Sequence, residues 1–263
     1  MGLPVRVLMD GPVRLEALEQ GAIWRAVLAT PKANILDSEK CGILGDVFVR
    51  AAADGGVKAV VLTGDGPHFS FGASVQEHLP GQAAAMLAGF HRLFLRMLDA
   101  RVPTLAAVRG QCLGGAMELA IFCNRIFASP DARLGQPEIV LGVLAPVASV
   151  MLAERVGRSR AEHMLLSGAS LDAAEGLAIG LVDELADDPG AAALAYAGAH
   201  LLPKSASSLR FAVEAARAGF AERVRHDLAA AERLFLDRLM ATADAREGLQ
   251  AFLEKREARW TNA

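Results

Sequence analysis

The chain has 263 residues, 53% of them hydrophobic, with 27 Lys and Arg against 30 Asp and Glu and a formal net charge of −3. That length supports one sizeable core, or a core with an appendage. The near-balanced charge excludes bulk nucleic-acid binding. Three cysteines (Cys41, Cys112, Cys123) without CxxC spacing argue against a disulfide framework and fit a reducing cytoplasm.

Met1–Gly11 carries Arg6 and Asp10 and lacks the apolar run of a leader peptide. Val5–Met9 and Ala22–Leu28 read as strands, with a turn-forming loop over Thr30–Asn34. Ile35–Ala53 has helical apolar spacing, with Asp37 or Ser38 as N-cap. Val57–Thr63 is a strand, His68–Leu79 a loop with small residues at its centre, and Gln82–Leu98 a helix. The apolar strand Thr104–Val108 follows, ended by Gly110, and Gly114-Gly115 open a helix with Glu118 one turn in. Arg125–Ser129 is a strand, Arg133–Gly135 a short extension, and Gln136-Pro137-Glu138 a turn.

Strands alternating with helices indicate an α/β core with parallel pairing. From Asp188 the pattern becomes all-helical: Asp188–Leu202, Ser207–Ala218, Ala221–Met240 and Ala243–Arg259. The expected division is 1–195 for the α/β core and 196–263 for a helical region. The longest uncharged runs, Ile139–Ala153 and Pro189–Pro203, contain proline and are 15 residues each, too short to span a bilayer.

Two small-residue stretches, Gly72-Ala73-Ser74 and Gly114-Gly115, each follow a strand and could turn two backbone N–H groups onto one oxygen. Glu118 lies among apolar residues and Glu138 follows Pro137. Two carboxyls facing one site repel, so one holds a proton near neutral pH. Ordinary turn glycines, a glutamate complementing a helix dipole and a capped turn explain the same residues, and from the residues alone these readings stand ahead. The six histidines (His68, His78, His91, His163, His200, His226) show no HxH or HxxxH spacing, and no metal site is expected. GxSxG, GxGxxG and GxxxxGK[ST] patterns are absent.

Taken together, five segments resemble the crotonase, or enoyl-CoA hydratase/isomerase, family. TPKANILD is similar to its N-terminal CoA loop, and FSFGASVQEHL to its first oxyanion-hole loop. VRGQCLGGAMELAIFCNRIFAS is similar to its central signature, LGQPEIVLGV to its second acid segment, and EGLQAFLEKREARW to its closing helix. The resemblance implies a spiral of ββα turns with a C-terminal helical trimerisation region, assembled as a homotrimer or a dimer of trimers. It implies hydration of an α,β-unsaturated acyl-CoA, with CoA as part of the substrate and no tightly bound cofactor. Ala73 and Gly115 would hold the thioester oxygen. Glu118 and Glu138 would handle water, with Glu118 favoured as base and Glu138 as acid. Lys32, Ala33, Asn34, Phe71, Phe252 and Lys255 would lie near CoA, the last two from the closing helix and toward an adjacent subunit.

The sequence departs from the family pattern at Ser74, at Ala116 and at Leu144–Ser149, which replaces a glycine-rich segment. Leu144, Ala145, Pro146 and Ser149 are therefore expected to wall the acyl pocket and give it a different shape. The departures are similar to those of the branch that hydrates ring dienoyl thioesters. A linear enoyl-CoA hydratase, an isomerase, and an RNA-binding or scaffold member of the fold are the alternatives.

Overall fold

The computed structural model describes residues 5–263, so the leader expectation over Met1–Gly11 begins on residues outside those described. In chain order the elements are β1 (Arg6–Met9), β2 (Val13–Leu18), β3 (Ile23–Leu28), α1 (Ser38–Ala53), β4 (Ala59–Gly64), α2 (Ala83–Ala100), β5 (Thr104–Val108), β6 (Gln111–Leu113), α3 (Gly115–Phe122), β7 (Arg125–Ala128) and β8 (Arg133–Gly135). They continue with α4 (Pro146–Val156), α5 (Arg158–Ser167), β9 (Ser170–Asp172), α6 (Ala173–Ala178), β10 (Glu184–Leu185), α7 (Pro189–Tyr196), α8 (Ala206–Arg233) and α9 (Ala243–Leu253).

A seven-stranded sheet runs β1-β2-β3-β4-β5-β7-β10, and a three-stranded sheet runs β6-β8-β9. The β1-β2-β3 pairings are antiparallel, and every pairing from β3 to β10 is parallel. Both faces of the parallel part are covered, which is why TLAAV and AVVL read as unbroken apolar runs rather than alternating ones. Val60, Leu62, Ala106 and Val108 face the main core, with α1, α2 and α3 contributing to it. Ala59, Val61, Leu105, Ala107 and Phe127 face the other way, onto Ala193, Ala197 and Leu201. Helix α7 thus closes the second face of the sheet, and residue 195 lies inside it.

Asp37 caps α1, accepting from the Lys40 N–H at 2.9 Å. At the opposite end, Arg210 of α8 donates to the carbonyls of Ala51, Ala52 and Asp54, closing the C-terminus of α1 at 2.7–3.0 Å. It also reaches Ala100 at the end of α2. A guanidinium placed on orphan helix carbonyls satisfies them and complements their dipoles.

Several expected boundaries are corrected. Strands β2 and β6 form in stretches to which the residue pattern assigns no element. The helices read over Ser207–Ala218 and Ala221–Met240 are one helix, α8, continued by a π-helical turn over Leu234–Arg238. Gly219, where the two were divided, costs only about 1 kcal/mol in a helix interior, which a 28-residue packed helix absorbs. Helix α9 ends at Leu253 rather than Arg259, because Lys255 turns left-handed (φ 55°) and Arg256 folds back onto Glu247 and Glu254.

Candidate active site

Ser70 N–H donates to Gln111 O (3.0 Å) and Leu113 N–H to Ser70 O (3.2 Å), so the 68–74 loop runs beside β6. On its other side, Leu36 N–H donates to Gly72 O (2.9 Å) and Ser74 N–H to Leu36 O (3.1 Å). Gly72 N–H is taken by Ser70 Oγ at 3.0 Å. Among the described residues, the Ala73 N–H between them has no protein acceptor. Gly72 must be glycine here: its φ is +99°, and a Cβ would stand 2.5 Å from Leu113 O.

Gly114 ends β6 and caps α3, donating its own N–H to Gly135 O (2.8 Å). Gly115 is the first residue of α3, so its N–H has no intrahelical partner and lies at the positive end of the helix dipole. A Cβ on Gly115 would meet Ala73 N at 3.3 Å and the Phe90 ring at 3.1 Å. Two unpaired N–H groups from two loops therefore stand side by side, separated by a space that any side chain at 115 would fill. Such a pair can stabilise an oxygen on which negative charge develops.

Glu118 is 2% exposed. Its Oε1 accepts the Ala148 N–H at 2.7 Å, and the Val147 N–H also favours its charged form. Both donors belong to the first turn of α4, where Pro146 occupies N1 and brings no N–H of its own. Glu138 sits in the turn Pro137–Leu141, close enough to Gly114 that a Cβ there would lie 2.6 Å from its Oε1. With the buried Gln136 amide oriented to satisfy both groups, its nitrogen donates to the two Glu138 oxygens at 3.1 and 2.9 Å.

Burial pushes the Glu118 carboxyl up to about 7, against the two backbone N–H groups that favour its charge. Burial, and then the charge of Glu118, push Glu138 up to about 8. The pair therefore retains one proton near neutrality, and the backbone donors on Glu118 favour Glu138 as its holder. Two carboxyls in electrostatic contact that share one proton could serve as base and acid, although only Glu138 is among the residues lining the adjoining cavity.

Glu138, Ala73 and Gly115 line a single cavity of about 660 Å³. Ala33, Phe71 and Phe252 also line it, whereas Lys32 and Lys255 are exposed beyond the lining. Asn34 is buried, and its amide is fully engaged, donating to Asp65 O (2.9 Å) and His68 O (3.0 Å) and accepting from Thr30 N–H (3.1 Å). Its work is to shape the loop that presents Ala33.

The expectation for Leu144, Ala145, Pro146 and Ser149 is corrected. None lines the cavity, because the segment turns inward to start α4. Ala145 and Pro146 are buried, Ser149 Oγ donates to Ala145 O (2.7 Å), and the N–H groups that follow Pro146 hold Glu118. The walls come instead from Val75, Gln76 and His78, from Val140, Leu141 and Val143, and from Leu249 and Leu253 of α9. Gln136 and His78 join the site without a motif of their own. Their one available signal was proximity, two residues before Glu138 and five after Ala73.

Among the described residues, no group of His, Cys, Asp and Glu could hold a metal ion, and no helix is long and apolar enough to cross a membrane.

Residues 19–263 match the family model described as enoyl-CoA hydratase/isomerase. The chain is 51% identical to the cyclohexa-1,5-dienecarbonyl-CoA hydratase of Thauera aromatica, over 96% of this chain and 98% of that protein. It is 35% identical to a Mycobacterium bovis protein named "Probable enoyl-CoA hydratase echA8", over 87% of this chain and 90% of the other. The crystal structure of an enoyl-CoA hydratase from Mycobacterium avium subsp. paratuberculosis superposes with a TM-score of 0.84 at 26% identity, covering 96% of this chain and all of that one.

Proposed function

The chain belongs to the enoyl-CoA hydratase/isomerase family, and from that premise we propose that it hydrates cyclohexa-1,5-diene-1-carbonyl-CoA to 6-hydroxycyclohex-1-ene-1-carbonyl-CoA. Enoyl-CoA hydratase chemistry is the broader reading, and the ring diene is the finer one. The observation that carries it is the buried glutamate pair, raised to about 7 and about 8, beside two unpaired backbone N–H groups. The choice of ring substrate is supported by the 51% identity to a hydratase named for it.

In this reading CoA is part of the substrate and no separate cofactor takes part. Glu118 takes a proton from water as the water oxygen bonds to the ring carbon β to the thioester carbonyl. The electron pair of the β carbon's double bond moves to the thioester oxygen, held by the Ala73 and Gly115 N–H groups. Each such donor contributes about 3–4 kcal/mol where measured in other enzymes. The resulting dienolate collapses by taking the Glu138 proton at the far γ carbon, which leaves one double bond conjugated with the thioester. Passage of the proton from Glu118 to Glu138 restores the starting state.

Protonation at the α carbon instead would be ordinary hydration of a linear enoyl-CoA, the second reading, favoured by the 35% identity to a protein named for that activity. A homotrimer or dimer of trimers in the cytoplasm is part of the proposal, with Phe252, 53% exposed at the cavity lining, near the expected subunit boundary.

Mass spectrometry of products from a panel of linear and ring unsaturated CoA thioesters in ¹⁸O-water tests the reading. The ring diene is expected to gain one labelled oxygen at the highest kcat/KM. Turnover of crotonyl-CoA alone selects the linear reading. Double-bond movement without labelled oxygen selects an isomerase.

A further inference from the structure

The cavity that holds Glu138 and the two free N–H groups has a second polar element. The short 3₁₀ turn Val75–His78 follows directly on Ala73 and Ser74, and its last residue, His78, lines the same cavity. The His78 Nδ1 lies 2.7 Å from Ser74 O. A carbonyl oxygen only accepts, so Nδ1 carries the hydrogen. The imidazole is half-buried, and burial lowers its pKa, which keeps it neutral near pH 7. In this tautomer Nε2 is an acceptor, and among the described residues it has no protein partner. The ring is further fixed against buried Phe235, with centroids 6.2 Å apart.

Much of the remaining wall is apolar: Val75, Val140, Leu141, Val143 and Leu249. A fixed acceptor in such a wall discriminates for a ligand that brings a donor, because a plain hydrocarbon leaves it unpaired. Glu118 and Glu138 come from α3 and the 137–141 turn, whereas His78 comes from the far end of the loop carrying Ala73. His78 thus stands on a different wall element from the two acids.

We infer that His78 is a specificity-determining residue whose Nε2 accepts a hydrogen bond from a hydroxyl on the acyl ring, remote from the thioester and from the carbon being hydrated. The substrate range of the site then includes hydroxyl-bearing ring thioesters beside the plain ring diene. This rests on the acyl-CoA reading of the cavity, yet its test needs no turnover.

Isothermal titration with saturated ring thioesters, which cannot be hydrated, provides that test. The probes are cyclohexanecarbonyl-CoA and its 3-hydroxy and 4-hydroxy derivatives, measured against the wild-type chain, His78→Met and His78→Gln. The wild type is expected to bind at least one hydroxylated ring about fivefold or more tightly than the plain ring, the scale of one neutral hydrogen bond. His78→Met is expected to abolish that preference, and His78→Gln, which keeps an acceptor, to restore part of it. Thermal unfolding checks that each variant is folded, and the preference is judged on His78→Gln if His78→Met is not. Equal binding of all three rings by the wild type overturns the inference. So does a preference that survives in His78→Met, or a preference unchanged in His78→Gln where that variant alone folds. Failure of the wild type to bind any ring thioester overturns the acyl-CoA reading itself, and the inference with it.

Discussion

The Glu118 carboxylate accepts the Ala148 backbone N–H at 2.7 Å, across thirty residues of chain. The contact joins the first turn of α3 to the first turn of α4. It gives a buried carboxyl backbone donors at a helix N-terminus that favour its charged form, whereas Glu138 meets the one amide nitrogen of Gln136. The asymmetry between the two acids originates there.

Removing either carboxyl separates their roles from simple burial. Glu118→Gln and Glu138→Gln are each expected to lower kcat by about 10²–10⁴-fold, the usual range for a positioned acid or base. KM should change much less, since neither group is needed to hold CoA. Steady-state kinetics on the hydrated substrate check this, and near-normal turnover by either variant removes the paired-acid mechanism.

The pH profile follows from the same pair. Activity needs Glu118 ionised and Glu138 protonated, so kcat/KM should be bell-shaped, rising through about 7 and falling through about 8. These values belong to the pair rather than to either residue. A profile flat from pH 6 to pH 9 would remove the shared proton, the pH limits here being only the range of about one unit on either side.

Stability should carry the opposite signature. Both carboxyls bind their protons more tightly folded than unfolded, where a glutamate titrates near about 4.3. Their contribution is therefore complete below that value and is lost as pH rises through about 7 and about 8. Glu138→Gln removes the cost of ionising that buried carboxyl as pH rises through about 8. Its melting temperature is expected to rise relative to wild type between pH 6 and pH 9, measured by calorimetry.

Much of the architecture was legible because short-range chemistry fixed it. The Thr104–Val108 strand, the Asp37 cap and the opening of α3 at Gly114-Gly115 all stand where the residue pattern places them. What was illegible depended on contacts distant in sequence. The β2 strand alternates Val13, Leu15 and Ala17 inward with Arg14 and Glu16, but its pairing with β3 is not a local property. The end of α9 is set by Arg256 folding back nine residues onto Glu247. At the site, the Leu144–Ser149 departure marked a real difference, yet proximity in sequence did not say which way it faced. It supports Glu118 from behind, and the cavity wall is drawn from three other segments.

Backbone placement of the Ala73 donor is testable through Gly72. A Gly72→Ala side chain would meet Leu113 O at 2.5 Å and force alanine to φ +99°. The loop must shift, moving the Ala73 N–H. The expected result is a loss of about 1–3 kcal/mol in stability and a fall in kcat of about 10-fold or more, read by denaturant unfolding and kinetics.

Arg210 makes a stability prediction remote from the chemistry. Its guanidinium satisfies three carbonyls at the end of α1 and reaches α2 and Val57. Arg210→Ala is expected to cost about 2–4 kcal/mol in urea unfolding, since several partly buried acceptors are left without a charged donor. The kinetic constants of the folded fraction should be unchanged.

The most direct test is one incubation of cyclohexa-1,5-diene-1-carbonyl-CoA in deuterated ¹⁸O-water, with the wild type and with Glu138→Gln. The wild type is expected to yield 6-hydroxycyclohex-1-ene-1-carbonyl-CoA carrying one ¹⁸O on the carbon β to the original thioester carbonyl and one deuterium at the γ carbon. Glu138→Gln is expected to form it far more slowly. An unlabelled product, deuterium at the α carbon, or equal rates from the two proteins would contradict hydration of the ring diene by the glutamate pair.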